Sequence, residues 1–154
     1  MKTQTYNYRS GQQIIPGNVM DSVVSSINEI DNNIGKYDIR NFNKDLMSKL
    51  RSRGWINTMP LSVYSKITIT SVRDKIGLCI QTGNVARIYA DLLKIQTLYT
   101  EEKISAGIVV VPTKDCADAF GKNVANYERL IRELTYVFSK VVTIPMVIVC
   151  FSNE

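Results

Sequence analysis

The sequence predicts an α/β domain, a central mixed β-sheet flanked by helices, and three observations carry that prediction. Residues 66–72 (KITITSV) and 76–81 (IGLCIQ) alternate apolar and polar or small side chains with the two-residue period of a strand. Residues 107–112 (GIVVVP) and 144–151 (IPMVIVCF) are continuously apolar, as strands covered on both faces are. Between and before these runs the apolar residues recur at helical spacing. Helices that alternate with buried strands pack in layers around a sheet. With no repeat, low-complexity tract or linker, residues 1–154 are expected to form a single domain.

The elements follow in order. Val19, Val23, Val24, Ile27, Ile30 and Ile34 form one helical stripe, with Gly35 as its stop. A second helix is predicted over 43–53, with Leu46 and Leu50 on one face and Gly54 at the left-handed cap position. Asp74-Lys75 is predicted as a tight turn joining the two alternating strands into an antiparallel hairpin. In the second strand Ile76, Leu78 and Ile80 share one face, and Gly77, Cys79 and Gln81 the other. After Gly83 comes an amphipathic helix (Val85, Ile88, Tyr89, Leu92, Ile95, Tyr99), then the strand 107–112. A helix over 123–140 and the closing strand 144–151 complete the order helix, helix, hairpin, helix, strand, helix, strand.

Composition narrows the function. The apolar fraction of 45% is that of a globular protein, and the net charge of +5 favours an anionic partner, with nucleic acid foremost. The longest apolar run, 106–112, is far short of the ~20 residues of a membrane helix, so no membrane association is expected. The opening segment MKTQTYNYRSG has no apolar stretch behind its charges, so no secretory signal is expected. Cys79, Cys116 and Cys150, an odd number at wide spacing, point to reduced thiols and a cytoplasmic location. There is no histidine, which removes Ser-His and Cys-His nucleophiles and every His-containing zinc site. Phe120-Gly121-Lys122-Asn123 is not a P-loop, since Cys116 and Asn123 stand where Gly and Ser or Thr are required, and no GxGxxG occurs. What remains is metal-assisted chemistry on carboxylates, or binding without chemistry.

Residues 76–114 (IGLCIQTGNVARIYADLLKIQTLYTEEKISAGIVVVPTK) carry a resemblance. Ile80, Gln81 and Gly83, then Tyr89, Asp91 and Leu92, then Gly107, Ile108 and Pro112 occur in an order that resembles the BglII/BstYI-type restriction endonucleases. Upstream, Gly54-Trp55 closes an amphipathic helix as in that family, and residues 144–148 resemble its last strand, so the likeness spans about residues 40–152. It implies a PD-(D/E)xK core and a type II restriction endonuclease that hydrolyses phosphodiesters with Mg²⁺. It also implies binding of short palindromic double-stranded DNA, for which a two-fold homodimer is the natural reader.

By that resemblance, the family's metal-binding Asp falls on Thr70 and its Glu on Cys79, while its Gln is present as Gln81. Neither Thr nor Cys offers a carboxylate to hard Mg²⁺. Two acids stand nearby as substitutes. Asp74 is four residues from Thr70, ~13 Å along a strand, and is expected to serve the turn. Asp91 is expected to make a local hydrogen bond on its helix. Cys79 is expected to pack as a small buried hydrophobe, and Gln81 to hydrogen-bond locally.

For DNA, Arg73, Lys75 and Arg87 are expected to flank the site and hold phosphates. The segment 113–129 matches the family's recognition loop by position, and Lys114, Lys122, Asn123 and Asn126 are its donors toward bases or phosphates. Three readings follow: a Mg²⁺-dependent endonuclease with a variant site; an inactive DNA-binding homologue, alone or in a heteromer with an active nuclease subunit; and an interaction protein on the same scaffold.

Overall fold

The computed structural model describes residues 1–30, 39–55 and 57–153. Its six strands are β1 (Lys2–Tyr8), β2 (Asn57–Pro60), β3 (Thr68–Arg73), β4 (Ile76–Ile80), β5 (Ala106–Pro112) and β6 (Met146–Ser152). They form one mixed sheet in the order β1-β6-β5-β4-β3-β2. The central strands β4, β5 and β6 run parallel, while β1 pairs with β6, β3 with β4 and β2 with β3 antiparallel. The helices are α1 (Gly11–Ile14), α2 (Gly17–Asn28), α3 (Ile39–Ser52), α4 (Ala86–Thr100), α5 (Lys114–Phe120) and α6 (Tyr127–Tyr136), with a 3₁₀ turn at Phe138–Lys140.

The sheet is covered on both sides, which is why β5 and β6 are almost wholly buried. On one face α2 and α3 deliver Val19, Val23, Ile27, Phe42 and Leu46 against Leu78, Ile108, Val149 and Phe151. Phe42 stacks on Phe151 with ring centroids 4.6 Å apart, and buried Trp55 donates from Nε1 to the Ser22 hydroxyl at 2.8 Å. On the other face α4 and α6 deliver Ile88, Leu92, Ile95, Leu130 and Leu134 against Cys79, Val109, Val111 and Ile148. The alternation read in β4 therefore separates two cores: Ile76 and Leu78 enter the first, Cys79 the second.

Several elements depart from the sequence reading. β1 was not foreseen, because an edge strand needs no apolar face: its residues are largely exposed and its order comes from pairing along the whole of β6. β2, another edge strand of four residues, escaped for the same reason. α2 ends at Asn28 with Glu29 as its cap, and the proposed stop at Gly35, with Ile34, lies outside the described residues. α3 begins at Ile39, four residues before the predicted start. The helix predicted over 123–140 is shorter: Asn126 caps α6 by accepting from the Arg129 N–H at 3.0 Å, and Val124 belongs to the preceding loop. α5 occupies part of the expected recognition loop. The hairpin turn is as predicted, with Asp74 and Lys75 both left-handed (φ 50° and 61°), the backbone of a type I′ turn.

Candidate functional site

A cleft of about 550 Å³ opens where β3 and β4 part, at the carboxyl end of β4. A bulge lies beside it. The pairs Asn57↔Val72 and Met59↔Ile69 span two residues on β2 but three on β3, so β3 carries one extra residue beside Thr70. Bulges bend a strand and re-aim side chains. The β3–β4 ladder runs from Arg73↔Ile76 to Ser71↔Leu78, and the next link uses a side chain, with Ile80 N–H donating to the Thr70 hydroxyl at 3.1 Å. Gln81 N–H stays with the sheet, donating to Val110 O at 2.9 Å, and the chain then turns at Gly83 into α4.

α4 forms the opposite wall. Arg87, Ala90, Asp91 and Lys94, spaced i, i+3, i+4 and i+7, make one stripe along that wall. Asp91 is 7% exposed and both its oxygens are engaged. Gln81 Nε2 donates to Oδ2 at 2.8 Å and Lys94 Nζ to Oδ1 at 2.9 Å. Gln81, 6% exposed, also accepts from Gly83 N–H through Oε1 at 2.9 Å, so its amide is fixed at both ends. Across the cleft α3 contributes Asn43, whose Nδ2 donates to the Thr82 hydroxyl at 2.9 Å.

The site positions read from the sequence separate into three groups. Thr70, Gln81, Asp91 and Arg87 line the cleft. Cys79 does not: it is 1% exposed in the core beneath α4, and burial, reinforced by the nearby Asp91 charge, pushes its thiol far up. The third group lies elsewhere. Arg73 and Lys75, expected to flank the cleft, do not, because the hairpin turn lies at the other end of β4, five residues or ~16 Å away, and Asp74 serves that turn as expected. There Arg73 donates to Arg53 O at 2.5 Å and pairs with Asp74 at 3.5 Å. Adjacency in sequence hid this, since a hairpin sends its turn to the opposite end of the strand from its exit.

The loop donors lie at the same end of the sheet as the cleft, beyond the carboxyl ends of β4 and β5. Val85 N–H donates to Asn123 O at 2.8 Å, Ala125 N–H to Gly83 O at 2.9 Å, and Asn84 bridges Val124, so the loop before α6 is tied to the start of α4. Lys122 and Asn123 are exposed on it, Asn123 with left-handed φ of 59°. Lys114 starts α5 after β5, its backbone N–H donating to the Glu128 carboxylate at 2.8 Å. Asn126 is committed through Oδ1 to capping α6. Asn43, Thr82 and Lys94 were missed by the sequence reading. Lys94 had a signal there, one turn beyond Asp91 on the stripe of Arg87, but Asn43 had none, being brought in from α3.

Mg²⁺ prefers octahedral oxygen and is gripped by one or two carboxylates. Among the described residues no group of three His, Cys, Asp or Glu side chains is placed to hold a metal. The cleft's one described carboxylate, Asp91, already carries an ammonium at 2.9 Å on one oxygen and an amide donor at 2.8 Å on the other. This donor set does not fit Mg²⁺. Its charged lining is two cations, Arg87 and Lys94, against Asp91, which suits an anion.

A mixed six-stranded sheet between helical layers, with a cleft at the exit of the hairpin's second strand, is the fold of the restriction endonucleases. The crystal structure of restriction endonuclease BglII complexed with a DNA 16-mer matches with a TM-score of 0.83 at 12% identity, covering 100% of this chain and 78% of that one. Free BglII matches with a TM-score of 0.73 at 12% identity, covering 100% and 81%. The model of the family Restriction endonuclease BglII/BglIII matches residues 3–151, and the chain belongs to that family. No curated protein matches the sequence. Among the described residues no helix is long and apolar enough to cross a membrane.

Proposed function

We propose that this protein binds double-stranded DNA as a restriction-endonuclease homologue that has lost the family's Mg²⁺-dependent cleavage. The observation that carries the reading is the state of Asp91: the cleft's one described carboxylate is held by Gln81 and neutralised by Lys94. Thr70 and Cys79, at the positions where the family resemblance puts the metal-binding acids, supply a hydroxyl engaged with Ile80 and a buried thiol. Binding itself is supported by family membership, by the net charge of +5, and by Arg87, Lys114, Lys122 and Asn123 around the carboxyl ends of β4 and β5. The solved relative complexed with a DNA 16-mer supports duplex DNA as the ligand class. A short palindrome read by a homodimer is the natural target, and a heteromer with an active subunit would give a silent protein a role in cleavage.

The test pairs fluorescence anisotropy on a random-sequence duplex pool with incubation on unmethylated phage DNA in Mg²⁺ or Mn²⁺. Salt-dependent binding without fragments is the expected result. Discrete fragments from the wild type would overturn the loss of cleavage, and absence of duplex binding at low salt would leave the interaction-protein reading. Thr70→Asp combined with Cys79→Glu runs alongside, and fragments from it alone would locate the defect in metal capture.

A further inference from the structure

We infer that Lys94 and Arg87 form a metal-independent site for a phosphate group, occupying the cleft where the family resemblance places its metal. The inference rests on the reading that the cleft faces a nucleic acid, and it names the group received there.

Three observations converge. The first is charge: Arg87 and Lys94 against Asp91 leave the described lining one unit positive, the wrong sign for a dication and the right one for a phosphodiester. The second is order. Lys94 is partly buried, its side chain 26% exposed, and held at 2.9 Å by a carboxylate that Gln81 locks from the other side. A flexible ammonium is thereby fixed in place before any ligand arrives, which lowers the entropic cost of binding. An ammonium carries three donors, of which the Asp91 contact uses one. The third is the rest of the wall: Thr58, Thr68 and Thr70 bring hydroxyls to the same cleft, and Arg87 lies beside Gly83. A Cβ at Gly83 would crowd Gln81 Oε1 at 3.1 Å, the oxygen that fixes the Gln81 amide. Hydroxyls, a guanidinium and an ammonium together recognise phosphate oxygens.

Asp91 is then a positioning residue. It aims Lys94 and lowers the net charge, so neutralising it strengthens anion binding while loosening the aim.

The experiment has two arms, both in EDTA. In the first, inorganic phosphate is titrated into the ¹⁵N-labelled protein and the amides of Thr70, Thr82 and Gly83 are followed. In the second, duplex DNA binding is measured by anisotropy across a salt series. For the wild type the three amides shift with phosphate. Lys94→Gln abolishes the shift and lowers the salt slope by ~0.9, the value for one lost phosphate contact. Lys94→Arg restores both, and Asp91→Asn raises phosphate affinity severalfold. Far-UV circular dichroism of each variant guards against misfolding. If duplex DNA binds but Lys94→Gln changes neither slope nor amide shifts, the phosphate site is wrong and the DNA reading stands. If phosphate shifts the amides through Lys94 but duplex does not bind, the site stands and the DNA reading falls. If neither ligand binds, both fall. Repeating both arms with Mg²⁺ in place of EDTA checks the metal, and binding that appears only then overturns the inference.

Discussion

Gln81 and Asp91, ten residues apart and on different elements, meet at 2.8 Å as a buried amide–carboxylate pair that joins the end of β4 to the middle of α4. A buried carboxylate needs its hydrogen bonds, because removing one partner leaves the desolvation cost unmet. Gln81→Ala is therefore expected to lower unfolding stability by about 1–3 kcal/mol, seen as a lower urea midpoint at unchanged slope. An unchanged midpoint would mean the pair is not formed in solution.

The single tryptophan gives a second test. Trp55 is fully buried and its Nε1 donates to Ser22 at 2.8 Å, linking the end of α3 to α2. Trp55→Phe removes that bond and part of the packing, and about 2 kcal/mol of stability should be lost. Differential scanning calorimetry checks it, and Ser22→Ala, which removes that bond together with the Ser22 hydroxyl's own bond to Val19 O at 2.6 Å, should also destabilise, by about 1–3 kcal/mol.

The thiols set an alkaline limit. Burial pushes Cys79 and Cys150 upward and Cys116 to about 11. Above the unfolded value of 9.0 the unfolded chain releases these protons while the folded chain keeps them. The folded state then binds more protons, so stability falls as pH rises through that range and is intact below it. Urea melts should show lower stability at pH 10 than at pH 8, and Cys79→Ala should flatten the dependence. Native protein should resist thiol reagents at pH 8 and react once unfolded.

The far end of the hairpin allows a test without loss. Asp74 and Lys75 both hold positive φ, which costs an ordinary L-residue energy that glycine avoids. Lys75→Gly should raise stability by about 0.5–1 kcal/mol and, because the turn lies at the opposite end of β4 from the cleft, leave duplex affinity within about twofold. A large loss of affinity would place DNA at the turn end instead.

The sequence by itself determined the layers. Period-2 alternation in β3 and β4, unbroken apolar runs in β5 and β6, and the stripe along α4 each report which faces leave water, and burial is what periodicity records. It also carried the resemblance, and with it Thr70 and Gln81 as site positions and Arg87 beside them, all three of which line the cleft. The edge strands β1 and β2 left no such signal, because backbone pairing with β6 and β3 orders them with little apolar burial. The tertiary structure alone decided the rest. It sent Arg73 and Lys75 away from the cleft, sank Cys79 beneath α4, brought Asn43 in from α3, and set Lys94 on the carboxylate a metal would need. Those outcomes depend on the direction in which each strand exits and on how α3 and α4 pack over the sheet, and side-chain pattern along the chain encodes neither.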